Sequence, residues 1–485
     1  MIGLVVSRAD DASVAIGEAL RSLVDWEART DDARSNADGG GTYYRHGDFE
    51  LRTFAEWHLE LSGVADAFST EPEFVAFLSR HAGETGPLLT AHFTGNFGPA
   101  EFGGEPGELA RACPNVQRAV LAAFDRHAPD GYEVGIECTH HGPSDVGAPS
   151  LFVELGSSES EWSDPAGAEA VARAVLELSG VAADAEAAES ESESEPPQRR
   201  HVVGFGGGHY APQFERVLRE TDWRVGHVAA DWVRQSMGAP EANAETVDRA
   251  FAQSAATRAL VADGDSDSES DLRAVIEDLG YRVVDETWLR VTSGVDLALV
   301  DALDGADDLD SIDNGLRFGA PAEAASSSAA DAVTVVSLPG DLLAEAAGID
   351  REATFDAVAE RVLAFETVEG GTKPRGRAAV TDADSLDALV DAVCRILREK
   401  YDDVAATDRE VAATRETFDP AAAAEAGVPE GPAFGRLAAG EAVEVDGREV
   451  TPEEVRTTET ARFPLPEPDI SSESAPGAGS AADFE

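Results

Sequence analysis

The chain has 485 residues, 43% of them hydrophobic, and sets 94 Asp plus Glu against 37 Lys plus Arg, a formal net charge of −57. The apolar fraction and its regular spacing exclude a wholly disordered acidic chain. Self-repulsion works against a compact state in dilute buffer, but at ~1 M salt the Debye length falls to roughly 3 Å and the repulsion is largely screened.

The only lysines are Lys373 and Lys400, and every other basic residue is Arg. A carboxylate-coated, Lys-poor surface of this kind reads as adaptation to a salt-filled cytoplasm. Cys113, Cys138 and Cys394 are scattered and odd in number, which implies no disulfide framework and fits a reducing compartment. The opening MIGLVVSRADD lacks the basic region and apolar length of a signal peptide, and no stretch approaches the ~20 apolar residues needed to cross a membrane. A cytoplasmic protein with no membrane partner is expected.

In chain order, Ile2–Val6 reads as a strand, Asp10 and Asp11 as capping residues, and Ile16, Leu20 and Leu23 as one face of a helix. Tyr132–Glu137 and Ser150–Leu155 are predicted strands. Asp164–Pro165 opens a helix with Val171, Ala174, Val175 and Leu178 on one face, closed by Gly180. His201–Phe205 is a further strand, followed by a glycine run and a helix starting near Pro212. Val333–Leu338 is a strand. Phe355, Val358, Val362 and Leu363 suit one helix, and Leu386, Leu389, Val390, Val393, Ile396 and Leu397 another. Alternating strands and helices predict an α/β fold with a mixed, largely parallel sheet flanked by helices, plus a smaller C-terminal α/β extension. Residues 181–200, 263–271, 320–331 and the tail from about Pro464 are expected to be poorly ordered. The expected division is residues 1–300 as a main domain, 301–463 as an extension and 464–485 as a tail, with the boundary between about 300 and 330.

Four segments carry candidate chemistry. The densest is the turn Glu137, Cys138, Thr139, His140, His141, Gly142, Pro143, Ser144, Asp145 between two strands. Histidines at a strand end can serve as general base, proton shuttle or metal ligand, or can simply cap backbone groups on a surface turn. In SLFVELG, Leu151, Val153 and Leu155 face one way, and Phe152 and Glu154 the other. A carboxylate there must be paired or lie at a sheet edge. In GFGGGHYAP (204–212), Gly206, Gly207 and Gly208 can turn N–H groups toward an anion or a carbonyl oxygen, with His209 next, or can form only a tight connection. The Lys and Ser/Thr of a phosphate loop are absent. AHFTGNFG (91–98) supplies His92, Thr94 and Asn96. Candidate metal ligands are His92, Glu137, His140, His141, Glu154 and His209, although no HExxH, CxxC or HxxxH spacing is present. No GxSxG elbow supports a serine triad.

These segments, in this order, together with FLSRH at 77–81 and PSLFVELGSSESEW at 149–162, resemble the archaeal and plant family of D-aminoacyl-tRNA deacylases over roughly residues 1–300. The resemblance implies a fold similar to phosphorylase and peptidyl-tRNA hydrolase, a zinc cofactor, and an esterase that releases a D-amino acid from the 3′-terminal ribose of tRNA. It implies tRNA charged with D-amino acids as the partner; a monomer is expected. Residues 426–455 are similar to the tail of metallo-β-lactamase-type tRNA 3′-processing nucleases, without that family's metal motif. This suggests a tRNA-end accessory or a plain structural appendage.

The expected site then has His140, His141, His209 and Glu154 as catalytic residues. Gly206, Gly207, Gly208, Asn96 and Thr94 contact substrate, and His92, Glu137, His140 and His141 are the metal candidates. Two other classes remain open on the residues alone: a zinc-dependent hydrolase of small molecules, of amidase or peptidase type, and a non-catalytic RNA-end-binding protein. In molar salt the counterion-release contribution of phosphate contacts is nearly spent, so a tRNA substrate must be held by stacking and hydrogen bonds to its unpaired end. KM for D-aminoacyl-tRNA is therefore expected to depend only weakly on KCl; a steep loss of binding between ~1 and ~3 M contradicts this.

Overall fold

A computed structural model describes residues 1–187, 198–262, 267–325, 327–382 and 384–466. The chain divides into two units, Met1–Gly294 and Val295–Glu485. No helix among the described residues is long and apolar enough to cross a membrane.

The first unit is built on an eight-stranded sheet of β1 (Ile2–Ser7), β2 (Glu27–Asp31), β3 (Gly41–His46), β4 (Phe49–Phe54), β5 (Phe74–Arg80), β6 (Leu88–Phe93), β7 (Glu133–Ile136) and β8 (Ser150–Gly156). The spatial order is β2-β3-β4-β1-β5-β8-β6-β7. The β4–β1–β5–β8 run is parallel, as is β6 with β7, while β6 opposes β8 and β2–β3–β4 form an antiparallel meander. This is the mixed sheet expected from the alternation of elements.

Strand periodicity decides what each face carries. Leu151, Val153 and Leu155 of β8 join Leu4, Leu78 and Ala91 in a core covered by the helices Asp11–Leu23, Pro114–His127 and Pro165–Leu176. Those helices form where the sequence caps them. Asp10 accepts from the amides of Ala12 and Ser13, and Asp164 accepts from Ala166 with Pro165 in the first turn. The opposite face is assembled in rows by register. Phe77, Phe152 and His92 lie side by side, and Ser79, Glu154 and Thr90 form the next row. That face holds the site.

A second, all-parallel sheet follows in the same unit, comprising β9 (His201–Phe205), β10 (Arg224–Ala229), β11 (Arg258–Val261) and β12 (Arg282–Val284) in the order β10-β9-β11-β12. Backbone bonds tie it to the segment after β7: Cys138 N–H donates to the His209 carbonyl and Thr139 N–H to Val228, both at 2.8 Å. The unit beginning at Val295 has a four-stranded antiparallel sheet with helices Gly340–Ala347, Arg351–Ala359 and Asp384–Leu397. It also contains a three-stranded sheet and a short hairpin.

Several expectations need correction. Val362 and Leu363 lie beyond the helix Arg351–Ala359, at the approach to the strand Ala364–Val368. Residues expected to be loose are partly ordered. Val181 and Ala183 pack on the main core and Asp184 pairs with Arg111, so the start of the acidic insert is pinned. Residues 267–271 open the helix Asp267–Asp278, where acidic residues suit the positive end of the helix dipole and Glu269 pairs with Arg273 at 3.1 Å. Within 320–331 lie the helix Ala320–Glu323 and part of a 3₁₀ turn, Ser327–Ala332. The remaining parts of the expected loose segments, 188–197, 263–266, 326 and 467–485, lie outside the described residues.

Candidate active site

The face built by β5, β8 and β6 becomes a site because the segments leaving β5 and β7, and the turn leaving β9, converge on it. Glu154 sits on β8 between β5 and β6, not on an edge, and is only 3% exposed. Burying a carboxylate there is costly unless it is paired. Its partners are imidazoles: Oε2 lies 3.7 Å from His81 Nδ1, and Oε1 lies 3.7 Å from His92 Nε2. Glu137, just beyond β7, is the second buried carboxylate. Oε2 accepts from His209 Nε2 at 2.7 Å, and Oε1 lies 3.1 Å from His81 Nδ1. The ring of His81 is therefore shared by both carboxylates, and its Nε2 lies 3.2 Å from the Tyr210 hydroxyl.

Burial alone would pull the His81 ring down, but the Glu137 and Glu154 carboxylates outweigh it and push it up to about 10. Burial would likewise raise Glu137, yet the bonds from His209 and His81 hold it well below the carboxylate range. Glu154 is lowered in the same way, against burial, by His81 and His92.

His92, His140 and His141 form a second cluster. Ring centroids are 4.7 Å apart for His92–His140, 4.6 Å for His92–His141 and 4.4 Å for His140–His141. Phe152 stacks on His92 at 5.1 Å and closes the cluster from the sheet side. In each ring Nδ1 meets a backbone carbonyl: Phe93 at 2.9 Å, Cys138 at 2.8 Å and Gly142 at 3.0 Å. A carbonyl only accepts, so each Nδ1 carries a proton and each Nε2 is left with a bare lone pair. The His92 Nε2 is buried with no hydrogen-bond partner. Burial, then the neighbouring rings, hold His140 well below its ordinary value, and burial with His92 holds His141 at about 4. His92 moves the other way, because Glu154 more than offsets burial.

Three histidines gathered together, each with its Nδ1 tied to a backbone carbonyl, are what a divalent transition-metal ion requires. The ligand-type atoms of His92, His140 and His141 lie within 4.8 Å of one another, as do those of Cys138, His140 and His209 and those of His81, Glu137 and Glu154. The orphaned His92 nitrogen and the donor chemistry fit a bound ion. Of the residues expected to share a metal, His92, His140 and His141 come together, while Glu137 groups with His81 and Glu154.

A cavity of about 450 Å³ opens over these groups, its wall including Glu154, His81, His140, His141 and His209. The turn that delivers His209 needs its glycines. Gly206 and Gly207 have φ of 100° and 77°, and a Cβ on Gly206 would meet the Ala262 Cβ at 2.7 Å. One of the three expected amides is used within the fold. The Gly206 N–H donates to Ala229 at 2.8 Å, and none of Gly206, Gly207 and Gly208 lines the cavity. What the turn positions is side chains. Gly207 accepts from the amide of Asp231, which starts the short helix carrying Trp232. Trp232 then stacks on His209 at 6.1 Å.

Thr94 and Asn96, expected to contact substrate, point elsewhere. The Thr94 hydroxyl is buried against that of Ser150 at 2.9 Å. The Asn96 amide donates to the carbonyls of Gly103 at 2.9 Å and Glu105 at 3.4 Å, so it holds the loop bearing Phe102. That loop crosses directly over Gly142, where a Cβ would meet the Gly103 carbonyl carbon at 2.4 Å.

Sequence reasoning quoted His81 only within a motif and missed His58, Trp57, Phe102 and Trp232, all in the cavity wall. His81 was findable as a polar residue at the C-terminal end of a parallel strand, where α/β sites form. The aromatics carry no spacing signal. Burial and then the Glu137 charge push the Cys138 thiol up to about 12.

A sequence family described as D-aminoacyl-tRNA deacylase matches residues 68–284. A Haloquadratum walsbyi protein named D-aminoacyl-tRNA deacylase is 49% identical, covering 96% of this chain and 96% of its own. A Natronomonas pharaonis protein of the same name is 51% identical, covering 96% of this chain and 100% of its own. A crystal structure of a conserved protein of unknown function covers 60% of this chain and 96% of its own, with 28% identity and a TM-score of 0.50.

Replacing Asn96 by Ala strands two carbonyls of the Phe102 loop. It should cost ~1–3 kcal/mol in denaturation at molar salt and speed amide exchange in residues 99–108; unchanged exchange there would show that the loop is held by other contacts.

Proposed function

The chain belongs to the D-aminoacyl-tRNA deacylase family and hydrolyses the ester of D-aminoacyl-tRNA, and from that premise we propose that the histidine-walled cavity is where the ester is cut. The single observation that carries this reading is the gathering of His140, His141, His209 and Glu154 in one cavity wall, with His92 grouped beside His140 and His141 and Glu137 bonded to His209.

The residues suited to hold a zinc ion are His92, His140 and His141, a nitrogen donor set matched to that metal. Bound there, zinc supplies Lewis-acid polarisation and lowers the pKa of a water molecule. The chain's own groups supply the proton traffic. Glu154, ionised and in the cavity wall, accepts the proton of the attacking water at a carboxylate oxygen. His209, the more exposed of the site histidines with 28% of its side chain accessible, carries a proton on Nε2, where Glu137 holds it. The proton taken up by Glu154 passes to the departing ribose oxygen, which returns Glu154 to its ionised form, while Glu137 keeps the His209 ring in orientation beside the ester. The substrate ester is already activated, so positioning accounts for much of the rate.

Discrimination of D from L is assigned to the shape of the cavity at the α-carbon. In this reading the enzyme frees mischarged tRNA in a high-salt cytoplasm. The 301–463 extension, shared with relatives of this name that are matched over nearly their whole length, is read as a tRNA-end accessory on the similarity of residues 426–455 to the tail of tRNA 3′-processing nucleases.

Single replacement of His140, His141 and His209 by Ala should each lower deacylation of D-Tyr-tRNA by ~10²-fold or more; activity within threefold of wild type for all three would sink the assignment. Free D-amino-acid esters assayed beside it, with and without chelator, separate this reading from a small-molecule hydrolase and from a non-catalytic RNA-end binder.

The metal is tested apart from activity. Elemental analysis of the purified protein should find zinc, and His92→Ala should lower its content. Chelation should lower the Tm of the wild type and not of that variant, since an ion bound only to the folded state stabilises it. Equal zinc content in wild type and His92→Ala would refute the ligand set.

A further inference from the structure

Among the described residues, the large hydrophobic side chains that stand exposed are Phe102 at 60%, Trp232 at 47% and Val368 at 38%. Two of these three meet at one place, the wall of the site cavity. Among the described residues the other tryptophans and phenylalanines are at least partly buried, so two exposed rings at one cavity are a costly arrangement that folding does not require. Both rings are also held in place. Asn96 and Ser144 bind the Phe102 loop, through the carbonyls of Gly103 and Glu105 and the amide of Glu105. Trp232 starts a helix anchored to the glycine turn and packs its ring on His209.

We infer that Trp232 and Phe102 form the platform on which the terminal base of the tRNA 3′ end stacks while its ribose ester lies in the cavity. The inference rests on the deacylase reading and adds the residues that hold the RNA. Base and ester are carried by the same ribose, so the terminal base must lie within a few ångströms of the groups that attack the ester. Trp232, in contact with His209, is at that distance.

Charge favours a nucleotide over an apolar peptide. The wall also carries Arg80, whose guanidinium lies between the rings of Trp57 and Trp162 at 4.3 and 4.5 Å. Among the described residues its side chain makes no ion pair within 4.0 Å of a carboxylate, although its charge reaches buried Asp10, whereas most arginines of this acidic chain make such a pair. A guanidinium held between two indole rings beside exposed aromatic rings is complementary to a polyanion with flat bases. Stacking on such rings also survives the molar salt that removes phosphate affinity.

The test is a cycle between base and ring on the full-length protein in ~2 M KCl, following inhibition of D-Tyr-tRNA deacylation and direct calorimetric binding. The probes are the trinucleotide CCA and its analogue lacking the terminal base. Wild type should prefer CCA by on the order of tenfold. Trp232→Ala should reduce that preference to within twofold, Phe102→Ala should weaken it, and Trp232→Phe should keep most of it. Binding is read separately from catalysis, so a Trp232 that merely braces His209 would lose turnover while keeping the preference, and that result overturns the inference. It is equally overturned if the wild type shows no preference for CCA. A wild type that fails to deacylate D-Tyr-tRNA at all defeats the preceding reading instead.

Discussion

The site depends on one costly arrangement, two ionised carboxylates buried in a sheet face among imidazole rings. Glu137 is 2% exposed and Glu154 3% exposed. Either alone, without partners, would cost several kcal/mol and would take up a proton instead. Together they are held ionised because His81 lies between them and because His209 and His92 approach from either side. The surrounding construction follows from this. Phe152 and Phe77 keep water from the rings, and backbone carbonyls fix three tautomers. Two strands of the large sheet and a turn of the smaller one are bonded so that the groups meet. An array of carboxylates and imidazoles that satisfies its acids, yet leaves the buried His92 nitrogen unmet, is arranged for something that arrives later.

The surface and the site obey different electrostatic rules. Outside, charges are numerous, exposed and screened, and individual ion pairs such as Arg173–Glu169 contribute little. Inside, few charges sit in a poorly screened medium, where each partner determines the protonation of the next. Molar salt can therefore govern whether the chain stays compact without dissolving the contacts that make the site. The same contrast bears on substrate capture: a surface of this sign cannot collect RNA by phosphate attraction, which places the burden on flat contacts at the cavity mouth.

Much of the site was legible in the primary structure because it is carried by short, chemically unusual segments. THHGPSD, the alternation of SLFVELG and the glycine turn before His209 each mark positions that do lie together. What they could not mark was use. The glycines suggested N–H donors for an oxyanion, but a strand-end turn must first satisfy its own backbone, and Gly206 does so on Ala229. Thr94 and Asn96 looked like substrate contacts because they are polar and near His92. The Ser150 hydroxyl and the Phe102 loop engage them in structural tasks. His81 was visible only as the end of a strand, since the two carboxylates that define it are 56 and 73 residues away in sequence.

By itself, the sequence determined the α/β character, the faces of the strands, the helix caps and the acidic, Lys-poor surface. Each of these follows from local periodicity, side-chain chemistry or summed charge, none of which requires knowing what lies across the fold. Only the tertiary structure decided that Glu154 is central and buried, that His92 joins His140 and His141, and that Trp232 comes to rest on His209. Those outcomes hinge on strand order and on the bonds between two sheets, where β5, β8 and β6 become neighbours despite their distance along the chain. A pairing of that kind is chosen by the packing of the whole unit and leaves no periodic trace in any single segment.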